Sequence, residues 1–537
     1  MHFSTKPAAK PGSVEITYTF INMRQPSHKG GAVAAGHRET ARIASEILNE
    51  GGNAFDAALA AMLTACIAEP ILASPGGGGF LTAHPADSSP VVYDFFAQTP
   101  SNRSPASAIE FYPIKADFGA AHQIFHIGMG SIATPGFIRG LFSIHRDLCS
   151  LPLRTLMEPA ISLAKNGILV NNFQSLISQI VSPILHATAD SFALNQSPTS
   201  PARLIAENEL HTNPELADFF QLLISEGEDL FYRGEAGQLI IEASIQNGGH
   251  IRKTDLSNYK VIKRQPLQFT YHRSRIVSNP PPSLGGTLIA FALGLLETQT
   301  LGQHDPGELM HLRRLAQTIC LTQQARSDWA GDLERILAPG SKQQYLRTLK
   351  EGGICNRGTT QISVADTHGN LASMTLSNGE GSGYVIPGSG IMLNNMLGEE
   401  DLNPDGFQTW PSDRRMASMM APTLVFLENE DIVVTGSGGS NRIRSAILQV
   451  ISNLVDFQMP LDVAVSRPRI HFENGLLSLE PGFKTSVANL LADEFPNQQH
   501  WDEKNLFFGG THSVVVSSSG QFSGTGDERR GGIAITI

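Results

Sequence analysis

Polar and apolar residues alternate along Gly358-Thr359-Thr360-Gln361-Ile362-Ser363-Val364, and again from Leu371 to Ser377. A period of two marks a strand with one face buried, and Asp366-Thr367-His368-Gly369-Asn370 between the runs supplies turn residues, so the stretch predicts a β-hairpin. Nearer the N-terminus the period lengthens. Behind Gly31-Ala32-Val33-Ala34-Ala35-Gly36-His37, the residues Ile43, Ile47 and Leu48 recur at helical spacing up to Gly51-Gly52. A second helix is predicted from an Asn53 cap through the alanine-rich run Ala57 to Ala68, stopping at Glu69-Pro70. Gly76-Gly77-Gly78-Gly79-Phe80 then leads into Leu81-Thr82-Ala83. A dinucleotide fingerprint needs a strand before its glycines and a helix after them, and here that order is reversed.

Further along, 422–427 and 432–435 predict a second hairpin about the turn 428–431. It runs into Gly436-Ser437-Gly438-Gly439-Ser440-Asn441, after which Ile443, Ala446, Ile447, Val450, Ile451, Leu454 and Val455 repeat at helical spacing, with Ser440 or Asn441 as the expected cap. A strand, a glycine turn and a helix N-terminus together present backbone N–H groups to an anion. Thr359 suggests where such an anion would form. Its hydroxyl needs a base beside it to become a nucleophile, and cutting the chain before Thr359 would supply one, an α-amino group with a pKa of roughly 7.7–8.0.

Composition narrows the picture. The 537 residues are 41% hydrophobic and 17% charged, ample for a large buried core. A net charge of -11 argues against nucleic acid and anionic membranes as partners. Cys66, Cys149, Cys320 and Cys355 form no Cys-x-x-Cys pair and have no histidine at zinc spacing, so neither a metal nor another cofactor is expected. P-loop, zincin and α/β-hydrolase motifs are absent from the sequence. The N-terminus lacks the apolar run of a secretory signal, and no stretch is long and apolar enough to span a bilayer, so a cytoplasmic location is the expectation.

Taken in order, several blocks resemble the γ-glutamyltranspeptidases, which are N-terminal nucleophile (Ntn) hydrolases. Gly51-Gly52-Asn53-Ala54-Phe55-Asp56, Glu69-Pro70 and the glycine run are similar to the opening of that family's large subunit. Thr134-Pro135-Gly136, Phe231-Tyr232-Arg233-Gly234, Pro280-Pro281-Pro282-Ser283-Leu284-Gly285-Gly286 and Gly510-Thr511-His512-Ser513 continue the likeness. Gly358-Thr359-Thr360-Gln361-Ile362-Ser363-Val364 and Ser389-Gly390-Ile391-Met392-Leu393-Asn394-Asn395 resemble the start of the small subunit. The likeness spans about 31–537, weakest near 180–215 and 325–357. It implies an α+β, four-layer αββα sandwich that cleaves itself between Gly358 and Thr359. The parts would be an N-terminal extension of 1–30, a large-subunit region of 31–358 preceded at its cut by a mobile linker from about 340, and a small catalytic subunit of 359–537. The two fragments would stay associated, with a small amide as substrate and water or an amino acid or peptide as acceptor.

The resemblance also implies site residues. Thr359 is the nucleophile, Ser377 lies near a hydroxyl that supports it, and Gly438 with Gly439 supplies oxyanion donors, although an ungapped match moves that pair to Gly439-Ser440. Asn378, at the head of the expected flexible loop 378–383, and Glu399 match groups that hold a donor's α-amino group. The donor pocket departs from the family. Its Asp-Phe-Arg-Glu becomes Asp94-Phe95-Phe96-Ala97, so Phe96 replaces the arginine that binds an α-carboxylate, and its paired serines become Ser418-Met419. Losing a charge-assisted hydrogen bond costs on the order of 1.5–3 kcal/mol. Arg103 either compensates for that loss or is an exposed loop residue. The leading expectation is hydrolysis or transfer of γ-glutamyl groups through an acyl-enzyme on Thr359. The rivals are an acylase for glutaryl or apolar acyl groups and an uncleaved scaffold.

Overall fold

A computed structural model describes residues 30–117, 122–299, 301–328, 337, 358–403 and 406–537. The expected N-terminal extension, apart from Gly30, and the expected linker, apart from Gly358, lie outside the described residues. Two antiparallel sheets organise the rest. The first has seven strands in the order Ile533–Thr536, Gly31–Ala35, Thr360–Asp366, Leu371–Ser377, Gly78–His84, Val91–Asp94 and Ile262–Arg264. The second has six, in the order Phe522–Thr525, Ser513–Val516, Ile432–Thr435, Thr423–Phe426, Ser274–Ser278 and Leu267–Tyr271. Strands from both sides of Gly358 contribute to each sheet, so the expected large-subunit and small-subunit segments share their sheets rather than forming separate lobes.

Alternation along the strands builds the layers. Val33, Ala35, Ile362, Val364 and Met374 face the helices Arg38–Asn49 and Ala54–Ala68. Between them, Ala32, Ala34, Ala365 and Leu371 meet Val277, Leu424, Val434 and Val514 of the second sheet. On that sheet's far side, Ile276, Val425 and Val433 pack with Leu288, Leu315 and Ile447 of the helices Leu284–Glu297, Leu309–Asp328 and Arg442–Val455. The order helix, sheet, sheet, helix is the αββα sandwich. Each fully buried Val, Leu, Ile or Met contributes about 1.5–3 kcal/mol of transfer free energy.

Both predicted hairpins form, but the first is buried on both faces rather than one. Its polar positions meet the second sheet instead of water, and burying a hydroxyl without a partner would be costly. Ser363 Oγ donates to the His512 carbonyl at 2.7 Å, and Ser373 Oγ to the Thr435 carbonyl at 2.7 Å. All 15 residues of the helix Ala54–Ala68 are buried, which its alanines permit between a sheet and neighbouring helices. Asn53 and Asp56 form a capping box, and Asp366 of the hairpin accepts the Ala54 N–H at 2.8 Å, tying the helix start to the hairpin turn. The glycine run serves close packing. A Cβ on Gly77 would lie 2.4 Å from the Ser377 carbonyl oxygen, and one on Gly79 2.4 Å from that of Thr375. No helix among the described residues is long and apolar enough to cross a membrane.

Candidate active site

Thr359 stands immediately before the central strand Thr360–Asp366 and is 4% exposed. The strand pairing sets Thr360 opposite Leu376, so the next step brings Ser377 opposite Thr359. There the Ser377 hydroxyl donates to the Gly358 carbonyl at 2.8 Å and accepts the Gly379 N–H at 3.1 Å. The Gly358 N–H donates to Glu380 Oε1 at 2.6 Å. On the other side, Arg530 Nη1 donates to the Thr359 carbonyl at 3.3 Å. Both polar backbone groups of Gly358, and the carbonyl of Thr359, are thus held by side chains.

The glycine turn of the second sheet closes on the same point. Ser437–Gly438 pairs with Gly510–Thr511, and a Cβ on Gly438 would lie 2.1 Å from the Thr359 carbonyl oxygen, so no larger residue fits. Gly439 at φ +116 and Ser440 at φ +52 then turn the chain into the helix Arg442–Val455. No side chain caps that helix; the Ser440 hydroxyl instead donates to Asp401 Oδ2 at 3.1 Å, and Asn441 bonds Glu473 and Arg326.

A narrow cleft opens at Thr359. Ser377, Glu399, Ser418 and Ser440 are its polar walls, and Phe96, Met396, Leu402, Met419, Met420 and Ile443 its apolar ones. Among the described residues, its lining contains one carboxylate and no cation. Phe96 is buried and stacks on Phe80 at 5.5 Å between ring centroids. A guanidinium does lie beside Phe96, but on its backbone. Arg415 hydrogen-bonds the Phe96 carbonyl and the Tyr259 hydroxyl and covers the Tyr259 ring, away from the cleft.

Two expected residues lie elsewhere. Arg103 is exposed, donates to the Gln408 carbonyl at 2.6 Å and covers the Trp410 ring, so it does not replace the missing arginine. Asn378 is not part of the cleft lining. One step after Ser377 along an extended chain, its side chain faces the opposite way, reaching the Met392 carbonyl at 3.4 Å and passing close to Gly77. Nor is its loop exposed: 378–383 is buried throughout and pinned by Asn395, whose Oδ1 accepts the Glu380 N–H at 3.0 Å.

Three ionisable residues near Thr359 went unread as site residues in the sequence: Glu69, Glu380 and Arg530. Glu69 ends the alanine-rich helix and accepts from Thr360 Oγ1 at 2.5 Å and Thr40 Oγ1 at 3.3 Å. Burial pushes its carboxyl up to about 7, against these hydrogen bonds and the attraction of Arg530. Burial likewise brings the Arg530 guanidinium down to about 10, against Asp527, Glu380 and Glu69. Glu69-Pro70 was visible as a helix stop, and Arg529-Arg530 as a charged pair in a glycine-rich tail, but only the fold brings them to Thr359.

The sequence profile described as Gamma-glutamyltranspeptidase matches residues 40–537. The chain belongs to the γ-glutamyltranspeptidase family. Among curated members of related name, the "Glutathione hydrolase proenzyme" of Bacillus subtilis (strain 168) is 26% identical, over 95% of this chain and 92% of its own. The "Acylase ACY 1 proenzyme" of Pseudomonas sp. (strain SE83) is also 26% identical, over 94% of this chain and 93% of its own. Among solved structures, the cephalosporin acylase from Bacillus halodurans superposes with a TM-score of 0.81 at 20% identity, covering 100% of this chain and 99% of that one. That last likeness establishes the Ntn-hydrolase fold. The residues matched by the γ-glutamyltranspeptidase profile include every strand of both sheets except Gly31–Ala35, and the cleft at Thr359.

Proposed function

We propose that this chain is a self-cleaving N-terminal threonine amidohydrolase of the γ-glutamyltranspeptidase type. Its substrates would be γ-glutamyl amides such as glutathione, hydrolysed or transferred to an amino acid or peptide. The observation that carries the reading is the convergence on one peptide: Thr359 opens the central strand, Ser377 bonds the Gly358 carbonyl, and the cleft begins at the Thr359 side chain. The 537-residue chain cut there leaves 358 and 179 residues. The freed α-amino group, with a pKa of roughly 7.7–8.0, takes the Thr359 hydroxyl proton as Oγ attacks a substrate amide. The same group returns the proton to the leaving amine, and water or an acceptor amine then releases the acyl group from Oγ.

The oxyanion of each tetrahedral intermediate needs preorganised donors. The turn Gly438-Gly439-Ser440 lies beside Thr359, and Ser440 in the cleft lining supports the register in which Gly439 and Ser440 supply the N–H groups. Glu399 would take a donor's ammonium, a role supported by its place in the cleft lining. A second reading, an acylase for glutaryl or apolar acyl groups, is favoured by Phe96, Met419 and Met420 and by the lack of a cation among the described residues of the lining.

Intact-mass analysis and N-terminal sequencing test the shared mechanism. Wild type should give two chains with Thr359 as the new N-terminus, and Thr359→Ala a single chain. A new terminus at Thr360, or none in folded wild type, refutes it. A panel of γ-glutamyl, glutaryl and apolar acyl anilides then separates the two substrate readings.

A further inference from the structure

The loop after the central hairpin grips the residue that self-cleavage must release. Gly379 at φ +64 and Gly381 at φ +93 adopt backbone conformations that only glycine takes readily, and they double the chain back so that Glu380 points at Gly358. A Cβ on Gly379 would lie 2.1 Å from Asn395 Oδ1, and one on Gly358 2.7 Å from the Gly379 carbonyl oxygen, so neither tolerates a side chain. Glu380 is 2% exposed, and Arg530 is among the charges acting on it. A buried carboxylate accepting a backbone N–H is a strong, short-range restraint.

We propose that Glu380 is a positioning residue for self-cleavage: its carboxylate holds the Gly358 N–H while Ser377 holds the Gly358 carbonyl, fixing the carbon that Thr359 attacks. This rests on the cleavage reading above. In the step itself, Thr359 Oγ bonds to the Gly358 carbonyl carbon as the bond from that carbon to the Thr359 nitrogen breaks. The hydroxyl proton passes to that nitrogen. Water then hydrolyses the resulting ester to a Gly358 carboxylate and restores the hydroxyl. The charge of Glu380 is not consumed; what the step needs from it is an acceptor oxygen at the right reach.

Glutamine keeps that oxygen without the charge, aspartate keeps the charge one methylene short, and alanine removes both. Full-length wild type, Glu380→Gln, Glu380→Asp and Glu380→Ala are purified as precursor and followed by intact mass, with Tm recorded for each. Displacing a reacting centre by about 1 Å costs on the order of 10²-fold, so Glu380→Ala and Glu380→Asp should cleave about 10-fold or more slowly. Glu380→Gln should remain within about 3-fold of wild type, well under that displacement cost. Wild-type cleavage in Glu380→Ala overturns the proposal, as does equal slowing in Glu380→Gln and Glu380→Asp. If Glu380→Ala fails to fold, the Gln and Asp pair decides: Asp at the wild-type rate with Gln slow overturns it. A wild type that never cleaves overturns the functional reading and this one together, whereas a cleaving wild type with indifferent variants overturns this one alone.

Discussion

At the residue scale, Phe96 decides what the cleft can read. An α-carboxylate entering beside Phe96, Met419 and Met420 meets no cation among the described lining residues, and the nearby Arg415 is committed to the Phe96 carbonyl and Tyr259. A γ-glutamyl anilide should therefore show a high KM, and removing its α-carboxylate should change kcat/KM little. Phe96→Arg should raise preference for the carboxylate by roughly 10-fold if it recovers 1.4 kcal/mol. Arg103→Ala should leave the preference unchanged, because Arg103 covers Trp410 at 5.5 Å. Measuring kcat/KM for the donor with and without its carboxylate in the three proteins checks this; strong wild-type discrimination defeats it. Phe96 was legible because a missing arginine shows as a change of residue type. For Arg103 the exposed-loop alternative is the one that fits, and the choice needed the fold because distance along the chain says nothing about which wall of a cleft a loop reaches.

At the element scale, the hairpin, the alanine-rich helix and the glycine turn were all legible, since each has a strong period or a cap of its own. What joins them was not. Glu69 links the end of the helix Ala54–Ala68 to Thr360, a contact between residues distant in sequence that no local pattern encodes. The link carries a pH signature. Burial raises the Glu69 carboxyl from 4.5 to about 7, so between those values the folded protein holds a proton that the unfolded chain has lost. Stability is then favoured below pH 4.5 and falls as pH rises to about 7, by about 3 kcal/mol in total. Glutamine at this position cannot ionise. In the uncleaved Thr359→Ala background, Tm of the Glu69→Gln variant should gain on that of its parent between pH 4.5 and 7.5, and parallel curves would rule out the linkage.

At the scale of the whole molecule, cleavage after Gly358 would not divide the protein in space. Gly31–Ala35 lies between Ile533–Thr536 and Thr360–Asp366, so the large fragment supplies a strand inserted between two strands of the small one. The sequence hinted at two segments but not at this interleaving, because pairing partners hundreds of residues apart leave no mark on local periodicity. The same insertion brings the C-terminal residue to the start of the first described strand: the Ile537 N–H donates to the Gly31 carbonyl at 2.9 Å. The covalent order of the chain is thus separable from its three-dimensional order. A circular permutant that omits 1–29, joins Ile537 to Gly30, begins at Thr359 and ends at Gly358 would keep every described strand in place. Once its initiating methionine is trimmed, it should acquire the free α-amino group by translation alone, and its activity on the preferred anilide should no longer depend on self-cleavage.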